Sequence, residues 1–511
     1  MLAQVDEAPL TRLETPHVEY SAILPELILI GGALVILVCA SVVRRRPPWL
    51  WTALTLLTGA ASAVASLPLW REVRDDGART VVADALVLDG FSVFFMVLVS
   101  ASVILAALLA DGYLEREGFS GPEFHVLMLL SSSGAVLMAA ANDLIVVFLG
   151  LEILSIALYV MAGFHGARQE SREAAMKYFV LGSFSSALFL YGVALVYGAT
   201  GSTNLGSVRE FLAGNVAPNN GVLLGGLALL LVGFGFKVAV VPFHTWTPDV
   251  YQGAPSPATG FMAAASKAAG FAALLRVFFS TFSTLRLDWR PVVWLLAVAT
   301  LLVGSVLAVA QNDIKRMLAY SSISHAGYVL IGLQAATATG IAGSLFYLLA
   351  YTFMVLGSFA IVTVVGRKGD SHHDLGAYRG LGARRPALAL AFTVFLLAQA
   401  GVPFTTGFLA KFYVISAAVE ARSYALALIG MLAAVIAAFF YLRITVLMYM
   451  APADADAGAD GDGAEAGAAQ APLSVPAATG LAVAASAAFT LAFGLVPSPM
   501  VHFARQATLL L

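Results

Sequence analysis

The chain has 511 residues, 60% of them hydrophobic and 11% charged, with a formal net charge of −2. A soluble domain carries about 25% charged residues, so this composition belongs to a membrane protein with many spans. The near-zero charge leaves no footprint for nucleic acid, and a single cysteine, Cys39, excludes an intrachain disulfide.

No CxxC or Cys/His cluster suggests iron–sulfur or zinc. No GxGxxG follows a strand, and there is no GxxxxGK[ST] loop. The sequence therefore predicts no cofactor in this chain. Residues 1–20 are polar, and Arg44–Arg46 follow the first apolar run rather than precede it. That polarity is wrong for a cleavable signal peptide, so the run reads as a first transmembrane helix.

A span needs about 20 apolar residues. Roughly fourteen candidates occur in order: 22–43, 49–67, 87–110, 123–141, 143–164, 174–199, 222–246, 255–282, 290–311, 313–336, 340–366, 386–417, 423–449 and 476–499. The fifth carries Glu152 about nine residues in, roughly 14 Å deep and near the middle of the bilayer core. A static ion pair is the structural alternative for it. Lys177 lies only a few residues into the sixth span and can snorkel to the interface.

Lys237 in the seventh precedes a break at Pro242, and Lys267 lies deep in the eighth. Proline removes a backbone donor and breaks a helix. In lipid, broken backbone is tolerated only against protein or a water-filled cavity. A buried charge beside such a break marks an ion pathway.

His244 and Asp249 flank this break, where capping is the simpler role. His325 in the tenth span, within YSSISHAGY, can relay a proton near neutral pH or serve as a satisfied structural histidine. The 386–417 run is too long for one straight span, at about 1.5 Å per residue. Gly401-Val402-Pro403 predicts a break there, followed by Lys411. His372 and His373 lie in a polar loop, where a metal pair is disfavoured. Residues 452–472 are acidic and low in complexity.

Lysine usage is the clearest signal that needs no comparison. There are six lysines against 22 arginines, and Lys177, Lys237, Lys267 and Lys411 fall in predicted spans. Arginine stays protonated, whereas a buried lysine can release its proton. Lysine is the choice where a proton must come off.

The loops between spans 1–2, 3–4, 5–6, 9–10 and 11–12 hold thirteen arginines and lysines, against seven in the alternate loops. The positive-inside rule makes the first set cytoplasmic. Both termini then face the outer side, and the 452–472 stretch, after thirteen spans, lies inside. Asn142-Asp143-Leu144 and Asn312-Asp313-Ile314 open the fifth and tenth spans, and Pro-Phe breaks with a lysine mark the seventh and twelfth. An odd offset of five spans inverts the second unit in the membrane.

FKVAVVPFHTWTPDVYQGAPSPATGFMAAASKAAGFAALLR, QNDIKRMLAYSSISHAGYVLIG and AGVPFTTGFLAKFYV resemble the antiporter-like subunits of respiratory complex I and of Mrp-type cation/proton antiporters. TPDVYQGAP is most similar to the subunit N type. The resemblance covers nearly the whole chain. It implies an all-α polytopic membrane protein of about 14 transmembrane helices, with two inverted five-helix repeats and broken helices 7 and 12. The organisation would be 1–122 for helices 1–3, 123–282 for the first repeat, 283–449 for the second, and 450–511 for the acidic stretch and helix 14.

The resemblance also implies roles. Glu152 would pair with Lys237, Lys267 would be the central lysine and Lys411 the terminal one, and Lys177 and His325 would belong to the connecting hydrophilic axis. The function implied is proton translocation in a bacterial NADH:quinone oxidoreductase, with an Mrp-type antiporter subunit as the alternative. NAD, FMN, iron–sulfur clusters and quinone would be held by other subunits. The partners would be other membrane subunits and the lipid bilayer of the inner membrane. The chain is expected to lack the long lateral helix of the subunit L type, and the acidic 452–472 stretch departs from the family pattern.

Overall fold

A computed structural model describes residues 18–42, 47, 49–119, 121–215, 220–450 and 473–507. Arg44–Arg46 and the acidic 452–472 stretch lie outside the described residues. The chain is an all-α polytopic membrane protein. Its first helices are α1 (Leu24–Val42), α2 (Trp49–Asp76), α3 (Gly90–Glu117), α4 (Pro122–Ala140), α5 (Leu144–Ala162) and α6 (Gln169–Thr200). A short hairpin, β1 (Arg79–Val81) with β2 (Leu86–Leu88), joins α2 to α3.

After α7 (Leu205–Gly214) come α8 (Asn220–Val238) and the short α9 (Trp246–Gly253). The next rod is α10 (Ser256–Phe261), a π-helical turn at Met262–Ser266, α11 (Lys267–Leu275) and a second π segment at Arg276–Thr281. The remaining helices are α12 (Arg286–Val309), α13 (Ile314–Ala335), α14 (Ala338–Val365), α15 (Leu381–Arg384), α16 (Pro386–Ala400), α17 (Thr406–Glu420), α18 (Tyr424–Met450), α19 (Ala477–Leu495) and α20 (Ser498–Gln506).

Among the described residues, twelve helical stretches are long and apolar enough to cross a membrane, and Pro386–Ala400 is a shorter apolar helix. α13 has 22 residues, but its serines, histidine and glutamine are turned into the protein, and nearly all of it is buried. The rod Ser256–Thr281 is likewise enclosed on all sides. By contrast α1, α5, α6, α12 and α18 each expose leucine, isoleucine, valine or phenylalanine outward, as lipid-facing helices do.

Both breaks occur where proline interrupts the run, although the seventh helix ends at Val238, earlier than the sequence suggests. Ala239 takes φ 61°, and the freed donors find partners: Val240 N–H donates to Gly235 O at 2.8 Å, and Trp246 Nε1–H to Phe236 O at 3.0 Å. At the other break Gly401 has φ 94° and Phe404 φ 67°. Gly401 and Val402 N–H close onto Leu397 O, both at 3.0 Å. Loose backbone is thus paired inside the protein, as a membrane interior requires.

The two halves share backbone detail. Leu144 N–H donates to Thr203 O and Leu205 N–H to Asn142 O, while Ile314 N–H donates to His373 O and Leu375 N–H to Asn312 O. Asp143 and Asp313 cap the two helices that begin there. A Cβ on Gly134 would meet Leu154 N at 2.6 Å, and one on Gly304 would meet Ser324 N at 2.5 Å. Each residue of the second set lies 170 positions after its counterpart, as 312 follows 142.

Candidate functional site

Lys237 sits in the last turn of α8, one residue before the helix ends, and is 4% exposed. A helix C-terminus favours a cation. Its Nζ donates to Ser155 Oγ at 2.8 Å and lies 3.5 Å from the Tyr178 hydroxyl. A small cleft lined by Ser155, Tyr159, Gly182, Ser185 and Lys237 opens beside it. Gly270 makes room for its stem, since a Cβ there would come within 3.1 Å of Lys237 Cγ. Gly270 is three residues after Lys267, hence on the same helix face.

Lys267 comes directly after the first π turn and is 4% exposed. A π turn inserts an extra residue and re-aims the side chains beyond it. Lys267 Nζ donates to both Ser322 O (2.6 Å) and Ser322 Oγ (2.5 Å), and lies 5.9 Å from the Tyr351 ring centre.

From Ser322 the polar line continues along α13. His325, one turn on, has Nδ1 at 2.6 Å from the Tyr347 hydroxyl and Nε2 at 3.1 Å from the Tyr441 hydroxyl. The Tyr441 hydroxyl also bonds Ser321 Oγ. Tyr328, one further turn along, has Lys411 Nζ 5.0 Å above its ring. Lys411 Nζ donates to Gln399 O and Ala400 O, both at 2.8 Å. It therefore caps the carbonyl end of the broken half-helix α16, where the dipole is negative. Lys267, His325 and Lys411 are brought together by α13 and α17.

Glu152 lies close enough to Lys237 to interact with it electrostatically, without a hydrogen bond or a direct salt bridge between them, and Glu152 Oε1 is buried without a hydrogen-bond partner. Lys177 is ion-paired to Glu173 at 2.6 Å and Asp249 at 2.7 Å, with 40% of its side chain exposed. Its neighbour Tyr178 is the α6 group that reaches Lys237. Asp249 also takes Arg316 at 2.7 Å, so it orders α9 against both α6 and α13.

Sequence reasoning missed several groups. Ser155 and Ser322 are the acceptors for two of the lysines, and Ser155 lies 170 positions before His325, a relation the internal repeat could have supplied. Lys315, a loop charge by sequence, is fully buried on α13, 3.3 Å from the equally buried Asp370. Asp370 also contacts Arg168 at 3.5 Å and His373 at 3.0 Å, and accepts from Ser256 N–H and Oγ–H at 3.1 and 2.8 Å. Burial alone would raise its carboxyl, but Lys315, His373 and Ser256 hold it well below the usual carboxylate range. Arg276 forms a buried bidentate pair with Asp89, both contacts 2.9 Å. Aspartates in the loop and hairpin gave no sign from sequence that they would meet buried cations.

The model of the family described as NADH:quinone oxidoreductase/Mrp antiporter, TM, matches residues 141–437, which contain all six expected site residues. The chain is 43% identical over 499 residues to an NADH-quinone oxidoreductase subunit N from Trichlorobacter lovleyi, covering 97% of this chain and 98% of that one. The chain belongs to the NADH-quinone oxidoreductase subunit N family. A subunit N from Mycobacterium tuberculosis is 39% identical over 98% of this chain and 99% of its own length.

Among solved structures, a chain of respiratory complex I from Thermus thermophilus superposes with a TM-score of 0.77 at 33% identity, covering 94% of this chain and 98% of that chain. A chain of the Mrp complex from Dietzia superposes at 0.81 with 22% identity, covering 96% and 97%, and that likeness shows the shared fold alone. The buried lysines of this subunit N family member thus lie on a scaffold common to redox-linked and antiporter assemblies.

Proposed function

We propose that this chain is the proton-translocating membrane subunit of a bacterial NADH:quinone oxidoreductase, with NADH, FMN, iron–sulfur clusters and quinone handled by other subunits. The carrying observation is the line from Lys267 through Ser322, His325 and Tyr328 to Lys411, all buried. An ammonium buried beside neutral acceptors has no counter-ion to hold its proton, so its charge is sensitive to any group that moves nearby. Lys237 with Ser155 and Tyr178 is the loading group, Glu152 the carboxylate that approaches or leaves it, Lys267 the next acceptor and Lys411 the delivering group. Lys177 holds α9 through Asp249 and so sets the shape of the broken helix.

The Mrp-type reading shares the fold, and full-length identity to subunit N favours the oxidoreductase. The two inverted repeats, 123–282 and 283–449, are supported by the matched bonds at Asn142 and Asn312. The partners are then neighbouring membrane subunits in the bacterial inner membrane, and loop charge places both termini on the outer side. Purification in mild detergent tests this: flavin and iron–sulfur absorbance co-eluting with the chain supports it, and an assembly lacking both is an antiporter. A cysteine at Lys368 should resist an impermeant thiol reagent in intact cells; rapid labelling would overturn the orientation.

A further inference from the structure

The first four helices contain polar groups that the lysine line does not use. α2 carries Thr52, Thr55, Thr58, Ser62 and Ser66 at spacings of three and four, all buried. That spacing puts them on one face, running about 21 Å at about 1.5 Å per residue. Thr55 Oγ donates to Trp51 O, Thr58 Oγ to Leu54 O and Ser66 Oγ to Ser62 O, at 2.8, 2.8 and 2.9 Å. A hydroxyl has one proton and two lone pairs, so each remains an acceptor toward the file.

Side groups extend the file at both ends. Thr52 Oγ donates to Asp111 Oδ1 at 2.7 Å, and His125 Nδ1 lies 3.0 Å from Thr55 Oγ. With the Thr55 proton directed to Trp51 O, the imidazole donates in that contact. At the other end Ser62 Oγ donates to Pro25 O at 3.1 Å and lies 3.1 Å from Ser100 Oγ, whose proton goes to Met96 O at 2.7 Å. Pro25 is followed by Glu26. Small residues alone explain close helix packing, but they do not explain a carboxyl.

Glu26 is 6% exposed, and neither carboxyl oxygen has a hydrogen-bond partner among the described residues. α1 has no other charged residue. The charged or titratable groups on the helices against it are Arg71, Glu72, Arg74, Asp75 and Asp76 in the last turns of α2, and Glu123 and His125 on α4; none is ion-paired to Glu26. Arg79, in the hairpin, is held by Glu19 at 3.0 Å and Glu72 at 2.6 Å. A carboxylate left so in an apolar interior carries its full desolvation cost, and a bound proton removes it.

We propose that Glu26 is a proton-binding carboxyl at the end of a hydroxyl file on α2, separate from the lysine line. This goes beyond the proposed function, and its readouts need no turnover. In the intact complex, difference infrared spectra should contain a protonated-carboxyl C=O band that shifts in D2O and is missing in Glu26→Gln. Thr58→Val and Ser62→Ala should slow that deuterium shift several-fold. A band unchanged in Glu26→Gln overturns the site, and an unchanged exchange rate overturns the file.

Dicyclohexylcarbodiimide on wild-type membranes covers the case in which Glu26→Gln does not assemble. The acid O–H adds across a C=N bond to give an O-acylisourea, which rearranges to a stable N-acylurea with every atom retained. An adduct at Glu26 at neutral pH that declines as pH rises supports the proposal; no adduct there overturns it.

Discussion

Lys267 donates two hydrogen bonds to one residue, Ser322, engaging both its carbonyl and its hydroxyl. The carbonyl belongs to the backbone of α13, so the central lysine is anchored to the helix that also carries His325 and Tyr328. From Ser322 to Tyr328 is about 9 Å at about 1.5 Å per residue, a span that neutral hydroxyls and one imidazole fill.

Lys267→Ala should abolish proton pumping and strongly reduce coupled quinone reduction, with complex content unchanged. Lys267→Arg should not restore it, because a guanidinium keeps its proton. Ser322→Ala removes one charge-assisted hydrogen bond of about 1.5–3 kcal/mol and should slow pumping by about ten- to hundredfold, since about 1.4 kcal/mol is tenfold. Wild-type pumping by Lys267→Ala vesicles would refute the assignment.

Glu152 and Ser155 lie three residues apart on α5, hence on the same face, yet only Ser155 bonds Lys237. If Glu152 is the approaching carboxylate, Glu152→Gln should stall proton loading while assembly survives, and Glu152→Asp should keep part of the activity. Ser155→Ala should lower pumping less than Lys237→Ala does. Pumping and quinone reductase activity, measured side by side in membranes, check the order. Normal pumping by Glu152→Gln reduces Glu152 to a packing role.

Asp370, in the loop after α14, gathers Lys315 and His373 from one half and Arg168 and Ser256 from the other. Because its folded value is depressed, its stabilisation is present above the ordinary carboxylate range and is lost only as pH falls through the depressed value. The junction should therefore hold through mildly acidic pH and loosen only under strong acid. Asp370→Ala orphans a buried lysine, at a cost of about 3–5 kcal/mol. Detergent-solubilised complex should show lower thermal stability in Asp370→Ala, and wild-type stability there would contradict the junction.

Much of this arrangement was legible in the residues. A lysine kept inside an apolar run, in a chain that otherwise uses arginine, located Lys237, Lys267 and Lys411. Prolines located both breaks. What the sequence did not reveal is which neutral groups receive the ammoniums, because serine and tyrosine are ordinary in membrane helices and their partners come from distant spans. Lys315 was misplaced for the opposite reason: it looks like a loop charge beside Arg316, and only the folded loop at Asp370 buries it.

Gly304 and Gly134 set the closeness of α12 to α13 and of α4 to α5. An added methyl at Gly304 would press on Ser324 N at 2.5 Å and Tyr320 O at 3.0 Å, which are backbone atoms that cannot turn aside. Gly304→Ala should cost about 1–3 kcal/mol by overpacking and displace the Ser322–His325 turn. Reduced complex content together with lowered pumping per complex is the expected result, and content loss alone would show that the turn does not move.

Lys411 differs from the other two lysines in what holds it. Its two acceptors are carbonyls at the open end of α16, unsatisfied by the helix because the chain breaks at Gly401. Lys411→Met keeps the stem but leaves Gln399 O and Ala400 O without the ammonium, so the break should lose order along with the charge. Lys411→Arg keeps the charge and the cap but cannot give up its proton. If Lys411 delivers protons, both variants should stop pumping, whereas a capping role alone predicts that Lys411→Arg pumps normally and only Lys411→Met fails. Proton pumping per quinone reduced, with limited proteolysis reporting order at the break, separates the two.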